Sequence, residues 1–199
     1  MTDNLKERFK ITISDFDAVN AEDPHKELVN EKPIAKELIY GIRMSEMLME
    51  TYPDSNELLR LAARSQHIKR WAIPREDYPM DRKGYLLWRT RLKQFHGELA
   101  GEIMERNGYS TAEIKKVEDL LNKKRLKTDP DTQALEDVIC LVFLKYYFQD
   151  FISKHEDEES KLVGILQKTW NKMSDKGKEK ALSMSHSPKA KRLLDKALT

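Results

Sequence analysis

In "LRLAARSQHIKRWAIPREDYP", residues 59–79, Arg60, Arg64, His67 and Trp71 recur at offsets of 4, 7 and 11. On a helix that spacing puts all four on one face. A row of guanidinium groups is planar and bidentate toward phosphate-like oxyanions. A histidine inside such a row is held neutral by the surrounding positive charge. A neutral imidazole can ligate a metal or accept a proton. A second group lies in "YLLWRTRLKQFHGELAGEIM", where His96 follows Trp88 and Arg89. Here Leu92, Phe95, Leu99 and Ile103 form the apolar stripe, and His96 stands beside it. A third is the acid pair Glu136 and Asp137, immediately before the apolar run "VICLVFL". A carboxylate carried into a core needs a hydrogen-bond donor, a cation or a metal. The ordinary alternatives are a solvated basic surface and a buried structural ion pair.

The elements that must position these groups are helical. Among 199 residues, 39% are apolar and 35% charged, and alternating β-branched patterns are nearly absent. Leu5, Phe9, Ile13 and Phe16 mark a helix over about 3–18. "NAEDPHKELVNEKP" reads as a connection, with Pro33 in the first turn of a helix over about 33–51. Asp54 or Ser55 caps the next, about 56–71. A two-proline loop leads to a long helix, about 83–106, which stops at Asn107–Gly108. Ser110 and Glu113 have capping-box spacing and open a helix to about 123. The helix at about 130–154 is apolar all round at its middle, so it is expected at the centre with Leu141 and Phe143 buried. Two or three charged helices finish the chain. The expectation is one all-α domain over residues 1–199, of about eight to ten helices, with a Lys-rich helical extension from about 174.

Charge narrows the partners. Net charge is only +2, but residues 1–59 hold 13 acids and 7 Lys or Arg, whereas residues 60–93 hold 10 Lys or Arg and 3 acids. Concentrated basic charge points to an anionic partner. The longest apolar run is seven residues, against the roughly 18 of a membrane span, so no membrane role is expected. A lone cysteine, Cys140, excludes a disulfide framework and suits a reducing compartment, and a cytoplasmic location is expected.

"ELIYGIRMSEML", "LAARSQHIKRW" and "DPDTQALEDVICLVFL" together resemble the order of the HD-domain superfamily, the all-α metal-dependent phosphohydrolases. The wording of "QHIKRW", "YPMD", "GYLLWR", "LEDVICLVFL" and "KTWNKMS" is closer still to the family called domain of unknown function 4202, over roughly residues 10 to 185. The HD resemblance implies a His on a first helix, where this chain has Tyr40, and a His-Asp pair, where it has Gln66–His67. It implies a later lone Asp, matched by Asp137. A one-residue shift turns a helical side chain by about 100°, so His67 does not simply replace the first member of the pair. A His67–His96–Asp137 set, with open positions for water, would suit a divalent metal.

Three functions follow as expectations. The first is a metal-dependent phosphohydrolase acting on a small phosphorylated compound or nucleotide. The second is a non-catalytic module in which Arg64, Arg70 and Arg89 hold a phosphorylated ligand, with Tyr40, Gln66, Trp71, Trp88 and Glu136 around it. The two tryptophans would stack on a base, which extends this reading to nucleotides and RNA. The third is a helical scaffold for a protein partner.

Overall fold

A computed structural model describes residues 2–198, with side chains from residue 6. It contains ten α-helices and one two-stranded hairpin among those residues. Helix α1 spans Thr2–Ala21 and buries Phe16; the side chain of Leu5 lies outside the described residues.

The chain then makes a hairpin where a connection was expected: β1 is Lys26–Val29 and β2 is Lys32–Ala35, antiparallel, with Leu28 opposite Pro33. Asn30 and Glu31 both have positive φ, 50° and 65°, as a tight two-residue turn between twisted strands requires. Pro33 is therefore a strand residue on a sheet edge, where its missing N–H does no harm. Helix α2 starts three residues later, at Lys36, and runs to Thr51. Its leading residue Ala35 has no capping side chain. Asp23, from the segment between α1 and the hairpin, substitutes, accepting from the Glu37 N–H at 3.0 Å.

Helix α3 is short, Glu57–Ser65, and is capped by Asn56, which accepts from the Leu59 N–H at 2.9 Å. Asn56→Ala is expected to lower stability by about 1 kcal/mol, measured by urea unfolding; no change would mean the cap is replaced by solvent. Beyond Ser65 the chain turns, and Lys69 adopts left-handed φ of 49° before a single 3-10 turn, Arg70–Ala72. The buried Asn20 side chain, at the end of α1, accepts from the Lys69 N–H at 2.9 Å and holds this turn. Helix α3 lies close on α2 at Gly41, where a Cβ would come within 2.9 Å of the Arg64 carbonyl oxygen.

Helix α4, Arg82–Arg106, is capped by Asp81, and α5, Thr111–Leu121, opens with the Ser110–Glu113 capping box. The two pack together. Helix α6, Pro130–Val142, has Asp129 as its cap and Pro130 in the first turn. It continues through a π turn, Phe143–Tyr147, into α7, Phe148–Lys154. Leu141 is fully buried, whereas Phe143, the first residue of the π turn, is partly buried and packs against the core. Helix α8, Glu159–Trp170, follows; α9, Asp175–Ser183, packs on α6, and α10, Pro188–Leu198, packs on α8 and α7. The core runs between α2, α3, α4, α5 and α6, through Met44, Leu61, Ile103, Leu120, Leu135 and Leu141. None of the helices in the structure is long and apolar enough to cross a membrane.

Candidate functional site

A cavity of about 410 Å³ opens between the start of α2, the turn after α3, the middle of α4, the end of α5 and the α6–α8 face. Each wall has a sequence reason. Lys36, Glu37 and Tyr40 project from the first turns of α2, at helical spacing. Gln66, His67 and Arg70 come from the turn held by Asn20. Arg89 reaches in from α4. Glu136, Ile139, Cys140, Phe143 and Tyr147 step along one side of α6 and its π turn. Ile165, Thr169 and Lys172 close the far side.

His67 is the centre of one end. Its ring stacks on Tyr40, with centroids 4.0 Å apart and planes at 12°. The Arg70 guanidinium stands 3.0 Å from Nε2. Arginine only donates, so Nε2 is the acceptor and Nδ1 carries the proton. That Nδ1 faces Glu37 Oε2 at 3.3 Å. Burial, then the neighbouring Arg70 and Arg89 charges, hold His67 well below its ordinary pKa. The direction is the one expected from the sequence, but burial is the main cause, and the charges that add to it come from Arg70 and Arg89 rather than from Arg60 and Arg64. Burial also lifts the Glu37 carboxyl to about 7, against the lowering effect of Arg70 and Lys36. Glu37 is 7% exposed and Arg70 lies 3.9 Å away.

At the other end Glu136, 2% exposed, is paired with Lys123 and lies 3.7 Å from Lys172. Lys123 has a left-handed φ of 57°. A non-glycine residue in that region is strained, and such strain gathers at functional sites. Arg89 lines the cavity and its charge acts on Arg70 at one end and on Lys123 at the other; among the described residues it has no ion pair or hydrogen bond. Five basic side chains thus face two carboxylates.

The buried Glu37 carboxyl has a consequence for pH. Its folded pKa of about 7 exceeds its ordinary 4.5, so the folded chain holds that proton more tightly than the unfolded chain. Its contribution is complete below pH 4.5 and is lost as pH rises toward 7, by about 1 kcal/mol per pH unit. Glu37→Gln is expected to remove that slope, so the variant gains on the wild type across this window in urea unfolding. A difference independent of pH would contradict the assignment. His96, held at about 3 chiefly by burial, acts in the opposite sense: its contribution falls away as pH drops below 6.5.

The residues expected from the sequence divide. Tyr40, Gln66, His67, Arg70, Arg89 and Glu136 line the cavity. Arg64 does not: it forms a bidentate pair with Asp17, with both contacts at 2.6 Å. Trp71 does not line it either, because α3 ends at Ser65 and the 4–7–11 face stops with it. Trp88 is buried, donates to the Ile73 carbonyl at 2.9 Å, and has Arg70 over its ring at 5.0 Å. Its face is therefore taken and does not offer a base a stacking surface. His96 is behind the cavity, its ring 5.9 Å from that of His67. Its Nδ1 donates to the Ile68 carbonyl at 2.8 Å, and its buried Nε2 has no partner. On α4 it replaces Phe95 in the inward stripe of Leu92, His96, Ala100 and Ile103.

Asp137 does not line the cavity. It is wholly buried and accepts from the Tyr52 hydroxyl at 2.5 Å, from Gln133 Nε2 at 2.9 Å and from the Ser174 N–H at 2.8 Å, and also from the Ser174 hydroxyl. These contacts pin the start of α9 to α6, and Gly177 lets the helix approach: a Cβ there would stand 2.7 Å from Asp137 Cγ. His67, His96 and Asp137 are thus not assembled as one ligand set. Among the described residues no group of three or more His, Cys, Asp or Glu is placed to hold a metal ion, and the His67 nitrogen that would ligate one already accepts from a guanidinium.

The sequence reading missed Lys36, Glu37, Lys123 and Lys172. Glu37 had a usable signal, since it precedes Tyr40 by three residues and shares its face. Lys123 had none, because its orientation depends on a left-handed turn inside "NKKRLK".

No curated protein and no solved structure matches the chain. The family model described as domain of unknown function DUF4202 matches residues 10–194, which takes in every wall of the cavity, and the chain belongs to that family.

Proposed function

We propose that the chain binds a small phosphorylated compound in this cavity. The observation that carries the reading is the charge imbalance: Lys36, Arg70, Arg89, Lys123 and Lys172 converge on one concave space with only Glu37 and Glu136 to oppose them. Clustered cations repel one another when desolvated, and an oxyanion relieves that repulsion with charge-assisted hydrogen bonds. The cavity also has an apolar side, Ile139, Phe143 and Ile165, suited to an organic group. Its volume lies within the usual span of small-molecule sites, about 300–1,000 Å³. The test is a thermal-unfolding series in inorganic phosphate against chloride at equal ionic strength. A midpoint that rises with phosphate alone supports the reading; identical curves would sink it.

A second reading, a phosphohydrolase, is favoured by one observation. The Glu37 carboxyl, with a pKa of about 7, faces His67 at 3.3 Å inside the same cavity. A proton acceptor near neutral pH beside an imidazole is the equipment of general acid–base catalysis. This version uses Glu37 and His67 in place of the His67–His96–Asp137 metal set. Phosphate-ester turnover that disappears in Glu37→Gln would support it; equal turnover in both proteins would exclude it.

A further inference from the structure

The basic residues of the cavity fall into two groups, each set on its own buried carboxylate. Arg70 and Lys36 attend Glu37 at the α2 end, with Arg70 3.9 Å away. Lys123 and Lys172 attend Glu136 at the α6 end. Arg89 lines the same cavity without an ion pair among the described residues, and its charge acts on Arg70 of one group and on Lys123 of the other. The positive fields overlap, since both Arg89 and Lys123 act on His67. We propose that the ligand carries two linked phosphoryl groups, one for each group of cations, as a diphosphate ester of a small organic group. This rests on the anion-binding reading above.

The argument is one of charge and shape. With Glu37 and Glu136 both ionised, five cations leave an excess of three positive charges, and the excess is larger where Glu37 is protonated. One phosphoryl group carries about −1.5 to −2 at neutral pH, so a monoester leaves charge uncompensated in a partly buried space. A second phosphoryl group brings the ligand close to full compensation, about −3. A monoester also engages only one end, leaving the other pair of cations with its single carboxylate. A ligand that bridges the ends comes within reach of Arg89, whose charge acts on both, and gives its fork a partner. The organic part then lies along Phe143 and Ile165, on the apolar side.

The experiment is calorimetric titration of the full chain, at fixed ionic strength and pH, with inorganic phosphate and with inorganic pyrophosphate. Pyrophosphate is expected to bind at least about 10-fold more tightly, the effect of one added charge-assisted contact. Lys172→Ala removes a half-exposed side chain from the α6 end, so its folding is not at stake. It is expected to erase most of that advantage. If both anions bind with equal affinity, the two-phosphoryl inference falls while the anion-binding reading stands. If pyrophosphate keeps its full advantage in Lys172→Ala, the bridging assignment is wrong. If neither anion binds, the anion-binding reading falls and takes this one with it.

Discussion

Asp137→Ala is expected to lower the stability of the chain by about 3–5 kcal/mol and to leave phosphate affinity nearly unchanged. The size follows from what is orphaned. The carboxylate is fully buried and accepts from Tyr52, Gln133 and twice from Ser174. Removing it leaves the Tyr52 hydroxyl and the Ser174 N–H without their partner, while Gln133 keeps its bond to the Lys172 carbonyl at 2.9 Å, and each buried orphan costs about 1–3 kcal/mol. It also frees the start of α9, which Ser174 caps by accepting from the Gly177 N–H at 3.2 Å. Asp137→Asn keeps the shape but brings an N–H₂ group against donors, so it is expected to cost nearly as much. Urea unfolding at pH 7 measures both variants. A loss below about 1 kcal/mol would show that solvent replaces the carboxylate. A collapse of phosphate affinity at preserved stability would restore Asp137 to the site.

The opposite pattern is expected for Arg89→Ala. Arg89 faces the cavity and has no ion pair or hydrogen bond among the described residues, so little folding energy depends on it. Its contact with a bound phosphate would be a charge-assisted hydrogen bond of about 1.5–3 kcal/mol. The variant is therefore expected to bind phosphate about 10- to 100-fold more weakly, with stability within about 0.5 kcal/mol of the wild type. Arg64→Ala is the contrasting control. It removes the bidentate pair with Asp17, away from the cavity, so it is expected to leave phosphate affinity unchanged. Equal affinities in Arg89→Ala and wild type would remove Arg89 from the site.

These two residues also mark where the sequence is legible. Local chemistry is read well. The Ser110–Glu113 box and the stop at Asn107–Gly108 both stand where spacing put them, whereas Pro33, read as a first-turn proline, lies in β2. The all-α class follows from periodicity, and the direction of the His67 shift was legible, although burial contributes more to it than the charges around it. What fails depends on backbone geometry that no periodicity encodes. Extending α3 to residue 71 joined Arg64, His67 and Trp71 on one face, but the helix ends at Ser65 and Lys69 turns left-handed. The same turn carries Arg70 into the cavity, and Lys123 enters through another. The hairpin at 26–35 was hidden because only Asn30 has the usual turn chemistry, while Glu31 takes a positive φ against its preference. Asp137 was recognised as a buried carboxylate in need of partners, but those partners, Tyr52 and Ser174, lie 85 and 37 residues away. A contact that distant leaves no trace in local spacing.

The central claim is that the basic cavity is an oxyanion site. Its most direct test is a nuclear magnetic resonance titration of the isotopically labelled chain with inorganic phosphate, following the Arg70 and Arg89 side-chain signals, the Lys36, Lys123 and Lys172 ammonium-adjacent carbons, and the His67 ring. The account predicts saturable shifts at these groups together, with Arg64 and the α9–α10 lysines unmoved. No saturable shift in the cavity, or larger ones on the lysines of α9 and α10, would contradict it.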